Sequence, residues 1–422
     1  MKRERFCLHF ILHPSSLIPS IAHPLPQVVL TLFAIKEVEM KRIVYSVVVL
    51  SLSFSIACAQ TPKGKGAGEV ASTSDGSVKF RVETFVSGLQ VPWSIVFVPD
   101  GRVFVTERPG RVRVIENGQL RAEPLATIAD VEARSESGLM GLTLHPQFTE
   151  NHQLYLCYAY DSGNGQRDRV VRFRETGNAL VDRKVIIEDI PAAQFHAGCR
   201  LRFGPDAKLY ITAGEATQKE IAQRLDSLGG KILRLNDDGT VPQDNPFVNQ
   251  KGARPEIWTY GNRNPQGIDW QPGTGIMFET EHGPSGGDAP GGGDEVNIIE
   301  KGKNYGWPVI HHTQTKEEME SPLLEYTPAV APASGMFYHG TAFPQFHNNF
   351  FFGCLRGETI IRVVLDGRRV VSQERLLEKQ YGRIRDVAEG PDGAIYFSTS
   401  NRDGRGSPTK DDDRILRLVP VK

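Results

Sequence analysis

IRVVLDG (361–367) is the most regular copy of a segment that returns along the chain as VRVIENG (112–118), VRFRETG (171–177), LRLNDDG (233–239) and VNIIEKG (296–302), with a last partial copy, ILRLVPV (415–421). The closing glycines, Gly118, Gly177, Gly239, Gly302 and Gly367, are separated by 59, 62, 63 and 65 residues. A fixed period of this kind marks a repeat architecture, in which each unit buries its apolar face only by stacking on its neighbours. Ahead of each copy stands a tight turn and a β-branched or aromatic run: VPDGRVFVTE (98–107), HPQFTENHQLYLCYAY (145–160), GPDAKLYITAGE (204–215), QPGTGIMFETE (271–281), PQFHNNFFFGCL (344–355) and GPDGAIYFSTS (390–400). Pro-Asp-Gly and its relatives close tight turns, and the runs alternate as strands do. Six such units predict an all-β chain, a six-bladed β-propeller of four-stranded antiparallel blades. Two β-sandwiches would not require the even spacing. The strand VKFRVETFVSG (78–88) is expected to close the ring against ILRLVPV, and only EIAQRLDSLGGKI (220–232) reads as a short helix.

The 422 residues carry 49 Lys and Arg against 50 Asp and Glu, a formal charge of −1. No global field favours nucleic acid or an anionic membrane, and the natural partner is a small molecule. Met40-Lys41-Arg42, the apolar run IVYSVVVLSLSFSIA (43–57) and the small residues Ala57 and Ala59 fit a secretory signal peptide over 40–59. The run is short for a transmembrane span. Residues 1–39 then read as a mis-called N-terminal extension, 60–77 as a flexible linker, and 78–422 as the propeller. Export to the periplasm follows, or association with the outer membrane if Cys58 is acylated as a lipid anchor, although Ser55 stands where an aliphatic residue is usual. Cys157, Cys199 and Cys354 remain in the exported part, so at most one disulfide forms.

One stretch concentrates chemistry: IWTYGNRNPQGIDWQPGTGIMFETEHGPSGGDAPGGGDEVNIIEKGKNYGWP (257–308). Its Asn262-Arg263-Asn264, glycine-rich loop and acidic Asp288, Asp294 and Glu295 read as the floor of a site for a cation and an anionic cofactor. Glycine lets backbone carbonyls turn to a hard cation, and Arg263 offers a fixed fork of donors to a carboxylate. A long turn joining two strands is the plainer reading. His196 precedes a strand after a proline-containing turn, from which it can point into the channel mouth. Arg356 lies in CLRGETI, and Arg383 and Arg385 alternate in YGRIRDV, so both fall on one face of an extended segment. Arginines gathered from several blades repel one another unless a polycarboxylate anion lies among them.

With these residues assembled, the chain resembles the soluble pyrroloquinoline-quinone (PQQ)-dependent aldose sugar dehydrogenases of the glucose/sorbosone dehydrogenase family, which are six-bladed propellers. The likeness runs in order from about residue 80 to 420 through VPWSIVFVPDGRVFVTER (91–108), SGLMGLTLHPQF (137–148), HAGCRLRFGPD (196–206), GGKILRLNDDGTVPQDNPF (229–247), GNRNPQGI (261–268), EHGPSGGD (281–288), DEVNIIEKGKNYGWP (294–308) and RIRDVAEGPDG (383–393). The resemblance implies oxidation of the C1 hydroxyl of aldoses to lactones, with hydride leaving C1 for the quinone and His196 as general base. It implies that Arg263 and Asn264 contact the cofactor near its reacting carbonyl. Arg356, Arg383 and Arg385 match the positions around its carboxylates, and Glu136 stands where the glucose-oxidising members have glutamine. Gly283 and Pro284 match the carbonyl ligands of a catalytic calcium, and Glu295 and Tyr305 fall where relatives hold a structural one. Phe195 replaces an acidic partner of the base, Asn262 replaces a histidine, and Ala289-Pro290-Gly291-Gly292 lengthen the glycine-rich loop. The expected partners are an aldose and a separate electron acceptor, the expected state a monomer or homodimer. A propeller that only binds an anionic ligand or a protein is the alternative class, because the fold serves both uses.

Overall fold

A computed structural model describes residues 68–421, so the leader expected at 40–59, Cys58 and the first part of the linker lie outside the described residues. Six antiparallel sheets form the blades. Their innermost strands are Pro92–Phe97, Leu139–Leu144, Gly198–Phe203, Pro265–Trp270, Pro332–Phe337 and Ile384–Glu389 for blades 1 to 6. Each packs on the next, and the sixth returns to the first, so the ring is closed. The recurring segment is the third strand of every blade, glycine-ended in the first five and partial in the sixth: Arg111–Glu116, Gln166–Glu175, Lys231–Leu235, Asp294–Ile299, Thr359–Asp366 and Arg414–Pro420. Closure occurs as the sequence predicts, with Lys79–Ser87 pairing antiparallel to Arg414–Pro420 as the outer strand of blade 6.

Two local expectations change. The end of the expected linker, Val70–Ser72, adds an edge strand to blade 6, because Thr73 and Asp75 close a hairpin through Thr73 Oγ1–Asp75 Oδ1 (2.6 Å) and Val78 N–H to Thr73 Oγ1 (3.0 Å). The helix expected over 220–232 is only a 3₁₀ turn at Lys219–Gln223. Buried Lys231 takes the carbonyls of Ile221 (2.9 Å) and Ala222 (2.9 Å), acceptors a continuing helix would need.

The blades are joined by a device repeated near the axis. Every inner strand is bulged against its second strand, and the second-strand residue opposite each bulge is Thr106, Cys157, Thr212, Thr280, Gly353 or Ser398. A bulge leaves backbone groups unpaired, and a short hydroxyl at this point satisfies them. Thr106 Oγ1 accepts the Ser94 N–H (3.0 Å) and donates to the Met140 carbonyl of blade 2 (2.7 Å). Thr280 donates to the Ala333 carbonyl of blade 5 (2.8 Å), and Ser398 accepts the Asp386 N–H (3.1 Å). Between blades 2 and 3 the link is covalent, the Cys157–Cys199 disulfide. At blade 5 no side chain fits, since a Cβ on Gly353 would lie 2.8 Å from Ile384 Cγ2. The apolar core fills the spaces between blades, for example Tyr155, Ile187, Leu201 and Leu233 between blades 2 and 3.

Thr106→Val keeps the shape but orphans two buried backbone groups, and a loss of about 1–3 kcal/mol is expected. Denaturant unfolding checks this; an unchanged midpoint would mean that the hydroxyl does not join the blades.

Candidate active site

Residues that just precede an inner strand and residues that just follow a second strand emerge on the same face of the ring. There they enclose a cavity of about 280 Å³ lined by Arg108, Glu136, His196, His282, Gly283, Asp294, Arg356, Arg383, Arg385, Asp403 and Arg405, among others. A second, outer chamber of about 600 Å³ shares Glu136, His196, Ser285 and Arg405 with it, and adds Phe195, Glu215, Thr217, Lys219, Glu220 and Asp288. Trp93 is buried beside Arg385 of the cavity, with the guanidinium groups of Arg200 and Arg385 4.2 Å and 5.5 Å from the centre of its ring.

His196 is held from three sides. Its Nδ1 lies 2.9 Å from Glu215 Oε1, a carboxylate with 1% of its side chain exposed. Its backbone N–H donates to Glu136 Oε2 (3.2 Å), and its carbonyl accepts the Ala216 N–H (3.1 Å). The residue adopts φ 58°, a left-handed conformation that persists in a non-glycine residue only where surroundings enforce it. Gly214 makes room for that turn, because any Cβ there would sit on the His196 carbonyl. With Nδ1 committed to Glu215, Nε2 is the nitrogen left to act in the cavity. Glu215, the acidic partner of this imidazole, follows the second strand of its own blade, at the end of KLYITAGE.

Arg383 is braced by Asp403 (2.7 Å) and the Leu355 carbonyl (3.1 Å), and Arg385 by Gln266 Oε1 (2.9 Å). Burial, with Arg383 and Arg200 close by, brings the Arg385 pKa down to about 9, against the pull of Asp403 and Glu136. Burial also pushes His282 down to about 3, so this imidazole is neutral and its buried Nε2 has no partner. Around Glu136 burial raises the pKa, but Arg405 and the His196 backbone N–H outweigh it and hold the carboxyl below its ordinary value. Five arginines face the cavity against three carboxylates, Glu136, Asp294 and Asp403. Asp294 is already spent on the N–H groups of Gly283 (2.8 Å), Val330 (2.7 Å) and Ala331 (2.6 Å), which leaves the cavity with surplus positive charge.

A profile of the glucose/sorbosone dehydrogenase family matches residues 89–416. The chain is a glucose/sorbosone dehydrogenase family member. It is 35% identical over 343 residues to the aldose sugar dehydrogenase YliI of Escherichia coli, covering 77% of this chain and 91% of that one. A crystal structure of a glucose dehydrogenase-type oxidoreductase from Thermus thermophilus superposes with a TM-score of 0.75 at 43% identity, over 81% of this chain and all of the other. The PQQ-bound aldose sugar dehydrogenase of Streptomyces coelicolor superposes at 0.71 with 30% identity, over 81% of this chain and 98% of that one. Like them, this glucose/sorbosone dehydrogenase is an oxidoreductase of CH–OH donors.

The expected site residues divide into two groups in this family member. His196, Glu136, Arg356, Arg383, Arg385 and Gly283 meet at the cavity. Arg263 and Asn264 lie behind its wall. The Arg263 guanidinium is folded onto Asp288 (2.9 Å), Ser285 (3.3 Å) and the His282 carbonyl (3.2 Å), and rests 5.2 Å from the Trp307 ring. Asn264 accepts the Gly198 N–H (3.1 Å) and lies 3.4 Å from His282 Nδ1. The Pro284 carbonyl accepts the Gly292 N–H (3.1 Å). Glu295 is on the third strand of blade 4, beside Glu279, Glu281 and Asn297, away from the cavity. Burial raises all three carboxyls there, Glu281 to about 7, and Glu279 Oε1 and Asn297 Oδ1 have no partner. The Tyr305 hydroxyl is engaged with the Ile298 carbonyl (2.7 Å) and the Glu300 N–H (2.9 Å). Orphaned buried oxygens among carboxylates suit a hard cation. Among the described residues no three acidic, histidine or cysteine side chains converge on one metal-sized point, so an ion there would draw on backbone carbonyls too.

Arg108, Glu215, His282, Asp403 and Arg405 escape residue-by-residue reading. Their shared signal is positional, since all follow a second strand. Arg263→Met should cost about 3 kcal/mol by stranding Asp288 and should open the 283–293 loop to protease. Equal stability and protection would return Arg263 to a ligand-binding role.

Proposed function

We propose that this chain is a PQQ- and calcium-dependent aldose dehydrogenase that oxidises the C1 hydroxyl of an aldose to the lactone. The observation that carries it is the His196–Glu215 pair at the border between an arginine-lined cavity and a roomier outer chamber. A propeller that only bound an anion would need the arginines and not the oriented imidazole. When bound, pyrroloquinoline quinone supplies the two-electron acceptor for hydride from C1.

The chain's own groups do the rest. Arg356, Arg383 and Arg385, with Arg108, hold the cofactor's carboxylates, and an anion beside Arg385 offsets the desolvation that otherwise weakens its charge. His196 Nε2 takes the proton of the C1 hydroxyl, and Glu215 stabilises the imidazolium so formed. The outer chamber, where Thr217, Lys219 and Glu220 stand, receives the remainder of the sugar. Gly283 and Pro284 are the candidate carbonyl ligands of a calcium beside the cavity. Glu295 and Tyr305 are the candidate ligands of a structural ion, with the orphaned Oε1 of Glu279 and Oδ1 of Asn297 beside Glu295. Export fits the disulfide, which needs an oxidising compartment. Electrons leave to a separate acceptor.

Reconstitution with the quinone, calcium, a dye acceptor and several aldoses tests the reading. His196→Asn should lower kcat by about 10²–10⁴ while quinone binding persists, and dialysis against EDTA should lower Tm even without quinone. A wild-type protein inactive on every aldose removes the enzyme; full activity in His196→Asn removes the base; and an unmoved Tm removes the structural ion.

A further inference from the structure

Arg405 belongs to the loop between the second and third strands of blade 6 and reaches across to blade 2. Its Nη1 donates to Glu136 Oε1 (2.6 Å), and its guanidinium lies 5.2 Å from the centre of the Phe195 ring. It lines both the cavity and the outer chamber. The second Glu136 oxygen accepts the His196 N–H (3.2 Å). A continuous chain of contacts therefore runs from a loop of blade 6, through Glu136, to the strained backbone of the candidate base. Two of its members, Glu136 and Phe195, are among the positions at which this chain departs from the residues its resemblance leads one to expect.

Glu136 poses an electrostatic problem. A carboxylate at the rim of a cavity built for an anion repels that anion and is itself disfavoured by burial. The charged and titratable groups around it are Arg108 and Arg385, the imidazoles of His196 and His282, and Arg405. Arg405 is the cation in direct hydrogen-bond contact. We infer that Arg405 is a positioning residue. It neutralises Glu136 and keeps that carboxylate turned to the His196 N–H, so that an ionised Glu136 and an anionic cofactor can share the site. This rests on the quinone reading above.

Arg405 has 48% of its side chain exposed, so replacing it leaves the packed core intact. Quinone affinity is measured by fluorescence quenching for wild type, Arg405→Gln, Glu136→Gln and the double variant, all loaded with calcium. Arg405→Gln should raise Kd about tenfold or more, and adding Glu136→Gln should bring it back to within about threefold of Glu136→Gln alone, a non-additivity expected of groups in contact. A second arm needs no cofactor. In the apoprotein, removing Arg405 raises the Glu136 pKa, so the uncompensated carboxylate destabilises above that pKa and not below it. Arg405→Gln should therefore lose more Tm at pH 8 than at pH 4.5, and the double variant should not. Additive effects on Kd, or a Tm loss independent of pH and of Glu136, overturn the inference. A wild type that takes up no quinone removes the functional reading, and the melting arm then decides the Arg405–Glu136 coupling by itself.

Discussion

Guanidinium groups repel one another, and a half-buried cavity sharpens the repulsion because little water screens it. Five of them from three blades converge here on three carboxylates. Asp403 braces Arg383 and Glu136 takes Arg405, while Asp294 is consumed by backbone N–H groups. The remaining charge is a standing demand for an anion. That demand selects the ligand class before any shape argument is made, because a neutral sugar alone would leave it unmet. The closed ring is what makes the arrangement bearable, since it fixes the arginines on three blades that cannot drift apart.

The ring achieves this through means that repeat and means that do not. Hydroxyls opposite the inner-strand bulges of blades 1, 4 and 6 reach a carbonyl of the next blade, and a disulfide joins blades 2 and 3 at the same position. The bulges themselves lie where each chain segment enters the axial region, and the residues just before them are those that face the ligand cavity. Structural strain and chemical opportunity thus occupy the same few positions: His196 sits in a left-handed turn that a plain strand entry would not need, and Gly214 leaves the space for it.

Much of this was legible in the residues. The glycine period located the third strand of five blades, because a repeat that buries its face only on its neighbours must keep its length, and the partial copy ILRLVPV gave the sixth and its closing pair. His196, Arg383 and Arg385 were visible because a histidine and alternating cations are unusual at strand entries. Arg263 lies behind the cavity wall for a physical reason: the carboxylate that holds it, Asp288, lies in the same glycine-rich loop that suggested a ligand site. Arg108, Glu215 and His282 were hidden because each is unremarkable locally and gains meaning only from following a second strand. Glu136 and Arg405 are 269 residues apart, and only closure of the ring makes them neighbours. The segment 220–232 has helical periodicity, but Lys231 takes the carbonyls of Ile221 and Ala222, and Lys231 and Ile232 already belong to the third strand of blade 3.

The most direct measurement is a single-turnover spectrum of the protein loaded with one equivalent of quinone and calcium, without an external acceptor, on addition of an aldose. Conversion of the bound oxidised quinone to its reduced form, with one lactone released per quinone, is the predicted result. A spectrum that stays oxidised, with sugar present and quinone demonstrably bound, would contradict the assignment of this cavity as the place where aldoses are oxidised.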